Sequence, residues 1–207
     1  KVGPLSWFGR AAAQRQPAQR RILLVPAGVG STSLVGGTPR WNLTGDLYLN
    51  AIAQANAALE QAKARFPASR FAGIYWAQGE EDANNSVSRA AYRDALILLI
   101  SGLRSGINGA SNAPVLIAGM VPEAISIGGL PYRNINLAHQ DVAVAVPRCV
   151  FVPGITGFCN DNSHYNLADG PRRMGVKVAR YIGAAVARTS ASTAPPQPVS
   201  NVSMSGT

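Results

Sequence analysis

Residues 71–82 read FAGIYWAQGEED, and this stretch constrains the fold more than any other part of the chain. The apolar run from Phe71 to Trp76 has the length of a buried strand, and it gives way through Gly79 to three acidic residues. Polar side chains that follow a buried strand lie at its carboxyl end, where ligands bind in open α/β sheets. The stretch therefore predicts a sheet strand and one wall of a functional site.

Apolar runs of strand length alternate with segments of helical period along the rest of the chain. Besides 71–76, the predicted strands are residues 21–26, 114–120 and 148–152. The predicted helices are residues 5–14, 46–66, 88–105, 134–145 and 171–188. This alternation indicates a three-layer α/β/α sandwich with a mainly parallel, flavodoxin-like sheet.

The length of 207 residues fits one domain, which we expect over residues 1–188. A hydrophobic fraction of 47% with 14% charged residues is typical of a compact, enzyme-like domain and not of a disordered chain. Residues 189–207 are rich in Pro, Ser and Thr and read as a tail or linker. Because the first residue is Lys1 and not Met, we expect the natural polypeptide to extend upstream.

Basic residues outnumber acidic ones by 19 to 10, which gives a net charge of +9. They form no dense basic block and accompany no aromatic RNA-binding motif, so we expect no nucleic-acid partner. A solvated basic surface and attraction to an acidic polysaccharide are the two interpretations of this charge. No apolar run reaches about 18 residues, so we also expect no membrane-spanning segment.

Cys149 and Cys159 are the only cysteines, and neither belongs to a CxxC motif or has a histidine spaced as a zinc partner. We therefore expect no metal site. A disulfide between them would hold the loop before Asp161 and would imply an oxidising compartment. Two free thiols are an equally good interpretation, and the sequence leaves both open.

Asp161 precedes His164 by three residues, and the chain has only two histidines. In a tight loop the carboxylate can accept a hydrogen bond from Nδ1–H of the imidazole and leave Nε2 free as a general base. The alternative is an Asx-turn beside an ordinary surface histidine. The second histidine, His139, falls in a predicted helix, and we expect it on the helix surface.

Gln78, Glu80 and Asp82 follow the predicted strand 71–76 directly. In a hydrolytic site, the amide of Gln78 would donate a hydrogen bond to an oxyanion, and a carboxylate would orient a histidine. The alternative is the start of a helix, where acidic side chains interact favourably with the macrodipole and a glutamine satisfies free backbone groups.

Three blocks of the sequence resemble the SGNH/GDSL hydrolase superfamily, in its branch of sialate O-acetylesterase-like enzymes and carbohydrate esterase family 6. Residues 76–82, WAQGEED, match the WxQGExD signature, and residues 30–33, GSTS, resemble the Gly-Gly-Thr-Ser loop with Ser as the second residue. Asp161 and His164 match the final Asp-x-x-His block. The resemblance covers nearly all of residues 1–188.

The resemblance implies a serine-type carbohydrate O-acetylesterase that removes acetyl groups from glycans or polysaccharides and needs no metal or organic cofactor. His164 would be the general base, oriented by Asp161, with Glu80 as an alternative or additional carboxylate partner. Gly30, through its backbone N–H, and Gln78 would stabilise the oxyanion. This mechanism requires His164 and Gln78 to converge on one pocket rim.

The family's first block, a Gly-x-Ser-Asn turn that carries the nucleophile, has no match and would precede Lys1. None of Ser6, Ser31, Ser33 and Ser163 has the expected context. An N-terminal fragment of the same precursor, or another chain, would then supply the nucleophile and the first strand. The alternative is a catalytically inactive glycan-binding module. In either case we expect a secreted or extracellular protein, including one on a virion.

Overall fold

The computed structural model describes residues 3–159, 161, 164–165 and 169–189. These residues form seven helices and three strands. In chain order the elements are α1 (Pro4–Ala13), α2 (Asp46–Arg65), β1 (Ile74–Trp76), α3 (Glu80–Asn84), α4 (Arg89–Gly106), β2 (Val115–Ala118), α5 (Pro122–Ala145), β3 (Cys149–Val152), α6 (Gly170–Arg180) and α7 (Ile182–Ala187).

The three strands form a parallel sheet in the order β1-β2-β3. In the central strand, Val115 and Ile117 face a core formed with α2, α4 and α5. Leu116 and Ala118 face the opposite way, towards α6 and α7. Side chains of a strand alternate between the two faces of a sheet, so a fully apolar strand can be buried only if helices cover both faces. The predicted α/β fold with a parallel sheet is confirmed.

Three predicted helices, which are α1, α2 and α4, begin and end within one residue of their predicted bounds. Local signals define α2 and α4. In α4, Ser88 is the N-cap, and its Oγ accepts the backbone N–H of Ala91 at 3.2 Å. Tyr92, Leu96 and Leu99 then recur at helical spacing and are buried. In α2, Leu47 and Leu59 point inward in the same way.

Two other helix predictions were wrong in extent. The predicted helix 134–145 is the second part of α5, which begins at Pro122 and is kinked at Gly129, where φ is +63°. The predicted helix 171–188 is two helices, α6 and α7, separated at Tyr181. The predicted tail lies outside the described residues, apart from Thr189.

The predicted strand at residues 21–26 is also wrong. Residues 21–29 carry no regular secondary structure, and no backbone group of residues 21–30 hydrogen-bonds to a backbone group of the described residues. The segment still alternates like a strand, since Ile22 and Leu24 pack inward while Leu23 and Val25 are 64% and 37% exposed. No strand in the described part of the chain lies beside it, so its backbone has no ladder to join.

The sheet itself has an open edge. Within the described residues β1 pairs only with β2, so the other side of Ile74–Trp76 offers unpaired backbone groups. Such an edge is available to a further strand. None of the helices in the described ranges is both long and apolar enough to cross a membrane.

Candidate active site

Asp161 and His164 form a carboxylate–imidazole pair beyond the carboxyl end of β3. Oδ2 of Asp161 lies 3.0 Å from Nδ1 of His164, and Oδ1 accepts the backbone N–H of the same residue at 2.8 Å. The His164 side chain is 69% exposed. Its Nε2 therefore faces away from the carboxylate and is accessible. This is the predicted local geometry, and the catalytic roles of the two residues stay predictions.

Glu80 begins α3, immediately after Gly79 ends the turn that follows β1. The residue is partly exposed but its carboxyl group is shielded, and this burial raises the pKa of the Glu80 carboxyl above its usual value. The charge of His164 acts in the opposite direction, and that of Asp82 raises the pKa further. Glu80 thus lies within electrostatic range of His164, although no hydrogen bond joins the two side chains.

Asp82 is fully buried and anchors the loop that follows Gly30, one of the two predicted oxyanion residues. Its carboxylate accepts the backbone N–H groups of Leu34, Val35 and Gly36 at 2.7 to 2.9 Å. Charge-assisted hydrogen bonds of this kind are the strong ones in proteins. The sequence interpretation of the acidic run as a helix start is correct for its position, but Asp82 serves a loop 46 to 48 residues away and not its own helix.

Gln78 joins the same loop to α3. Its Nε2 donates to Asp82 Oδ2 at 2.7 Å and to the carbonyl of Thr32 at 3.1 Å, so both amide hydrogens have acceptors within the protein. Its Oε1 accepts the hydroxyl of Tyr92 at 2.8 Å. The predicted role of Gln78 as an oxyanion donor stays a prediction. In this structure the residue links the loop at Thr32 to Asp82 on α3 and to Tyr92 on α4.

Tyr92 and His139 belong to the hydrogen-bond network around Gln78, and this was not predicted from the sequence. The prediction that His139 lies on a helix surface is wrong, because the residue is fully buried and its Nε2 lies 3.0 Å from the Tyr92 hydroxyl. Burial lowers the pKa of His139 to about 4, so the ring is neutral near pH 7. Gly79 allows this close packing, since a Cβ there would lie 2.6 Å from Ile135 Cγ2 and 3.4 Å from His139 Cε1. A polar residue in the apolar stripe of a helix was the only available signal.

Gly30 lies on an exposed part of the loop after the extended segment. A Cβ at this position would meet nothing within 4 Å, and the Gly30 N–H donates to no group in the described residues. The following residues are ordered by the Thr32 hydroxyl, which donates to the carbonyl of Val29 at 2.7 Å and accepts Trp41 Nε1–H at 3.1 Å. The Gly30 N–H is thus free to bind a ligand on a fixed loop.

The segment that leads from β3 to Asp161 is held by polar contacts with α5 and with Tyr165. Glu123 accepts the Gly157 N–H at 2.5 Å, and the Tyr165 hydroxyl accepts the Ile155 N–H at 3.1 Å. Burial raises the pKa of Tyr165 to about 12, so the phenol stays protonated. A Cβ on Gly154 would lie 2.6 Å from this hydroxyl, which explains the glycine.

The two cysteines are free thiols, so the disulfide interpretation is wrong. Cys149 is buried in β3, whereas Cys159 is partly exposed with its Sγ 3.7 Å from Asp161 Oδ1. Residues 162 and 163, including Ser163, lie outside the described residues. Across the described ranges, no group of three or more His, Cys, Asp or Glu residues is arranged to hold a metal ion.

Gln78 and Glu80 follow β1, and the Asp161–His164 pair follows β3. Because these strands are parallel within one sheet, both groups lie at the carboxyl ends of the strands, on the same side of the sheet. The electrostatic effect of His164 on Glu80 agrees with this placement. A free imidazole nitrogen, a free backbone N–H and a shielded carboxyl group are the components that acyl transfer requires, apart from a nucleophile.

Comparison with known proteins identifies a family and a fold. The family model described as carbohydrate esterase, sialic acid-specific acetylesterase, matches residues 1–183. A protein from Arabidopsis thaliana, solved by X-ray crystallography, has a similar structure with a TM-score of 0.67 at 20% sequence identity. The match covers 88% of this chain and 69% of that one. No curated protein sequence matches the chain.

Proposed function

Because the chain belongs to the carbohydrate esterase family of sialic acid-specific acetylesterases, we propose that it is a serine-type O-acetylesterase that removes acetyl groups from glycans or polysaccharides. Family membership supports a carbohydrate esterase-like hydrolase in general. The acetylated sugar substrate, the serine mechanism and the residue roles are parts of the proposal. No cofactor is required by this chemistry.

The Asp161–His164 pair is the observation that carries the proposal. A carboxylate at 3.0 Å from Nδ1 favours the tautomer with the proton on that nitrogen, which leaves a lone pair on Nε2. The exposure of the imidazole gives a substrate access to this lone pair. An Asx-turn alone would need only the hydrogen bond from the His164 backbone N–H to Asp161. It would not require the contact between Asp161 and the imidazole ring.

In the proposed mechanism, a serine hydroxyl attacks the acetyl carbonyl carbon and transfers its proton to His164 Nε2. The oxyanion accepts the N–H of Gly30 and the Gln78 amide hydrogen that otherwise bonds the Thr32 carbonyl. The sugar hydroxyl leaves with the proton from His164, and an acetyl-enzyme remains. Water then attacks this ester, with His164 again as the base, and acetate and free serine are released.

We propose that the serine arrives on a strand that pairs with the open edge of β1. The unpaired edge of β1 and the extended, unpaired segment 21–30 support this assignment, because a strand between them would satisfy both. The strand would belong to an N-terminal fragment of the same precursor or to another chain. The nucleophile would then stand at the carboxyl end of the sheet, beside Gly30 and His164.

The test is hydrolysis of p-nitrophenyl acetate and of acetylated sialosides and polysaccharides, by the full-length precursor and by the 207-residue chain. We expect activity in the precursor, its loss by at least a hundredfold in His164→Ala, and a smaller loss in Asp161→Asn. Asp94→Asn is the matched control, since it removes an exposed aspartate whose ion pair is with Arg93 on α4. If the precursor with His164→Ala hydrolysed these esters at the unchanged rate, the proposal would be contradicted.

A glycan-binding module without activity is the second candidate, favoured by the absence of a nucleophile with the expected context in residues 1–207. Glycan binding by the precursor without hydrolysis of any ester would establish it. For either function we propose a secreted or extracellular location, including the surface of a virion, since acetylated polysaccharides are exposed there. Cell fractionation of the natural source tests this location.

A further inference from the structure

Four side chains, three of them fully buried, form a hydrogen-bonded series that ends at the candidate site. His139 Nε2 lies 3.0 Å from the Tyr92 hydroxyl, which lies 2.8 Å from Gln78 Oε1, and Gln78 Nε2 lies 2.7 Å from Asp82 Oδ2. His139 and Asp82 are fully buried, as is Tyr92. Because each of these groups has a partner within hydrogen-bond distance, the hydrogens of the series can be assigned from donor and acceptor capacity.

The orientation of the Gln78 amide is fixed by its neighbours. Asp82 Oδ2 and the Thr32 carbonyl can only accept hydrogen bonds, so the NH₂ group must face them. The reverse orientation would place Oε1 against a carboxylate that already accepts three backbone N–H groups. Gln78 Oε1 therefore faces Tyr92 and needs a hydrogen from it.

Tyr92 has a single hydroxyl hydrogen and four polar atoms around it, two of which belong to Gln78: Oε1 at 2.8 Å and the backbone carbonyl oxygen at 3.1 Å. The shorter distance favours Oε1 as the acceptor. Trp76 Nε1–H points at the hydroxyl from 3.3 Å and can only donate. If the hydroxyl donated to His139, Gln78 Oε1 would lose its donor from Tyr92. The hydrogen is therefore directed to Gln78, and the second lone pair of the hydroxyl oxygen is left to accept from His139.

His139 must then carry its proton on Nε2. The opposite tautomer would place two lone pairs 3.0 Å apart, and it would also bury an Nδ1–H, although Nδ1 has no hydrogen-bond partner in the described residues. The backbone carbonyl of Gln78 also interacts with His139 as an acceptor. Every donor in the series is then satisfied, and only an imidazole lone pair is left over.

We propose that Tyr92 and His139 are positioning residues for Gln78, with the His139 ring held as its Nε2–H tautomer and donating through Tyr92 to the Gln78 amide oxygen. The series fixes the amide hydrogens towards the Thr32 loop, from which one of them reaches the oxyanion. The catalytic part of this inference rests on the proposed function. The hydrogen-bonding pattern itself is independent of that function.

The first test reads the tautomer in the unchanged 207-residue chain. Long-range ¹H–¹⁵N spectra of the imidazole side chains at pH 7 distinguish a protonated ring nitrogen from an unprotonated one. We expect Nε2 of His139 to be protonated and Nδ1 to be unprotonated. The exposed His164 is the internal reference in the same spectrum. Protonation of His139 on Nδ1 would overturn the proposal without any substitution.

The second test reads the Gln78 side-chain amide. In Tyr92→Phe we expect its two hydrogens to exchange with solvent at least tenfold faster than in the unchanged chain, because Oε1 loses its donor. Tyr48→Phe is the control, since Tyr48 is a buried tyrosine outside the series. His139→Gln retains an N–H donor and should show slower exchange than His139→Met. Equal exchange in Tyr92→Phe and the unchanged chain would overturn the proposal.

The third test applies to the active precursor. Tyr92→Phe should lower kcat for acetyl ester hydrolysis by about tenfold or more and leave KM within twofold, since the amide acts mainly on the oxyanion. An unchanged kcat would overturn the catalytic part. If no protein hydrolyses any ester, the proposed function fails, while the tautomer and exchange results still decide whether Tyr92 and His139 hold Gln78.

Discussion

Asp82 Oδ1 accepts the backbone N–H of Val35 at 2.7 Å, although 47 residues separate them in sequence. Leu34 and Gly36 donate to the same carboxylate. One buried charge thus fixes the path of the loop that follows Gly30, and it does so from the short helix that also carries Glu80. The loop is ordered by this carboxylate and not by a regular element of its own.

Replacing Asp82 with Asn should therefore destabilise the protein strongly. The new NH₂ group would face backbone N–H donors or the Gln78 amide, leaving buried donors without acceptors. We expect a loss of about 3 kcal/mol in the free energy of unfolding, measured by urea denaturation. Glu81→Gln is the matched control, because it removes a neighbouring carboxylate that bonds only the side chain of Asn85. Equal stability of the two variants would contradict the anchoring role of Asp82.

Gly79→Ala should disturb the same region by a steric route. Gly79 has φ of +153°, and an added Cβ would lie 2.6 Å from Ile135 Cγ2. Strain and overpacking of this kind cost about 1 to 3 kcal/mol each. Thermal unfolding should show a clear loss for Gly79→Ala. Gly109→Ala, where φ is +75° in open space, isolates the backbone cost, and Gly28→Ala, also in open space, should be nearly neutral.

Local sequence signals predicted α2, α4 and the central sheet well, because capping, helical period and apolar runs act within a few residues. The strand at 21–26 was predicted from the same kind of signal and does not form. A strand exists only through a partner, and the continuous apolar run from Ile22 to Val25 carries no information about whether the partner is present.

The candidate site shows the same limit. The Asp161–His164 contact spans three residues and could be read from the sequence. The contact of Tyr92 with His139 spans 47 residues, and the position of His139 in the apolar stripe of α5 indicates burial at most, without indicating a partner on α4. The anchoring of loop 34–36 by Asp82 was likewise not predictable, because an acidic residue at a helix start already has a local explanation.

The thiols provide a chemical test of the fold near the site. Cys149 is buried, and burial raises the pKa of its thiol to about 12, whereas Cys159 is partly exposed. Ellman's reagent should therefore modify one thiol quickly in the native protein and the second only after unfolding. Cys159→Ser should abolish the fast phase and Cys149→Ser should not. A native protein without reactive thiols, with two appearing only after reduction, would indicate a disulfide.

Glu80→Gln should stabilise the protein at neutral pH. Burial raises the pKa of Glu80 in the folded state above its unfolded value. A raised carboxyl pKa contributes stability below the unfolded pKa and loses it as pH rises through the folded pKa, so ionisation at pH 7 opposes folding. The variant should have the higher free energy of unfolding at pH 7, and the difference should vanish near pH 4. If Glu80 is also a partner of His164, the same variant should lose activity in the precursor.

Glu81→Gln again serves as the control for Glu80→Gln. No comparable gain is expected there, because its carboxylate already accepts the Asn85 amide near the surface. Equal pH profiles for the two variants would show that the Glu80 carboxyl is hydrated in solution. A fall in the stability of Glu80→Gln at pH 7 would show that its charge is compensated by a partner.

His139 should have the opposite pH dependence. Its folded pKa of about 4 lies below the unfolded value near 6.5, so the unfolded chain binds the additional proton between these values. Stability is complete above pH 6.5 and falls as pH decreases towards 4, with a slope of at most about 1.4 kcal/mol per pH unit.

His139→Gln cannot bind this proton. Between pH 6.5 and 5 the unchanged chain should therefore lose about 1.6 kcal/mol more than the variant in urea denaturation. Glu80 and Asp82, the carboxylates whose charges act on neighbouring Tyr92, are present in both proteins, so their titration cancels in the difference. Parallel profiles would mean that His139 is hydrated or already charged in the folded state.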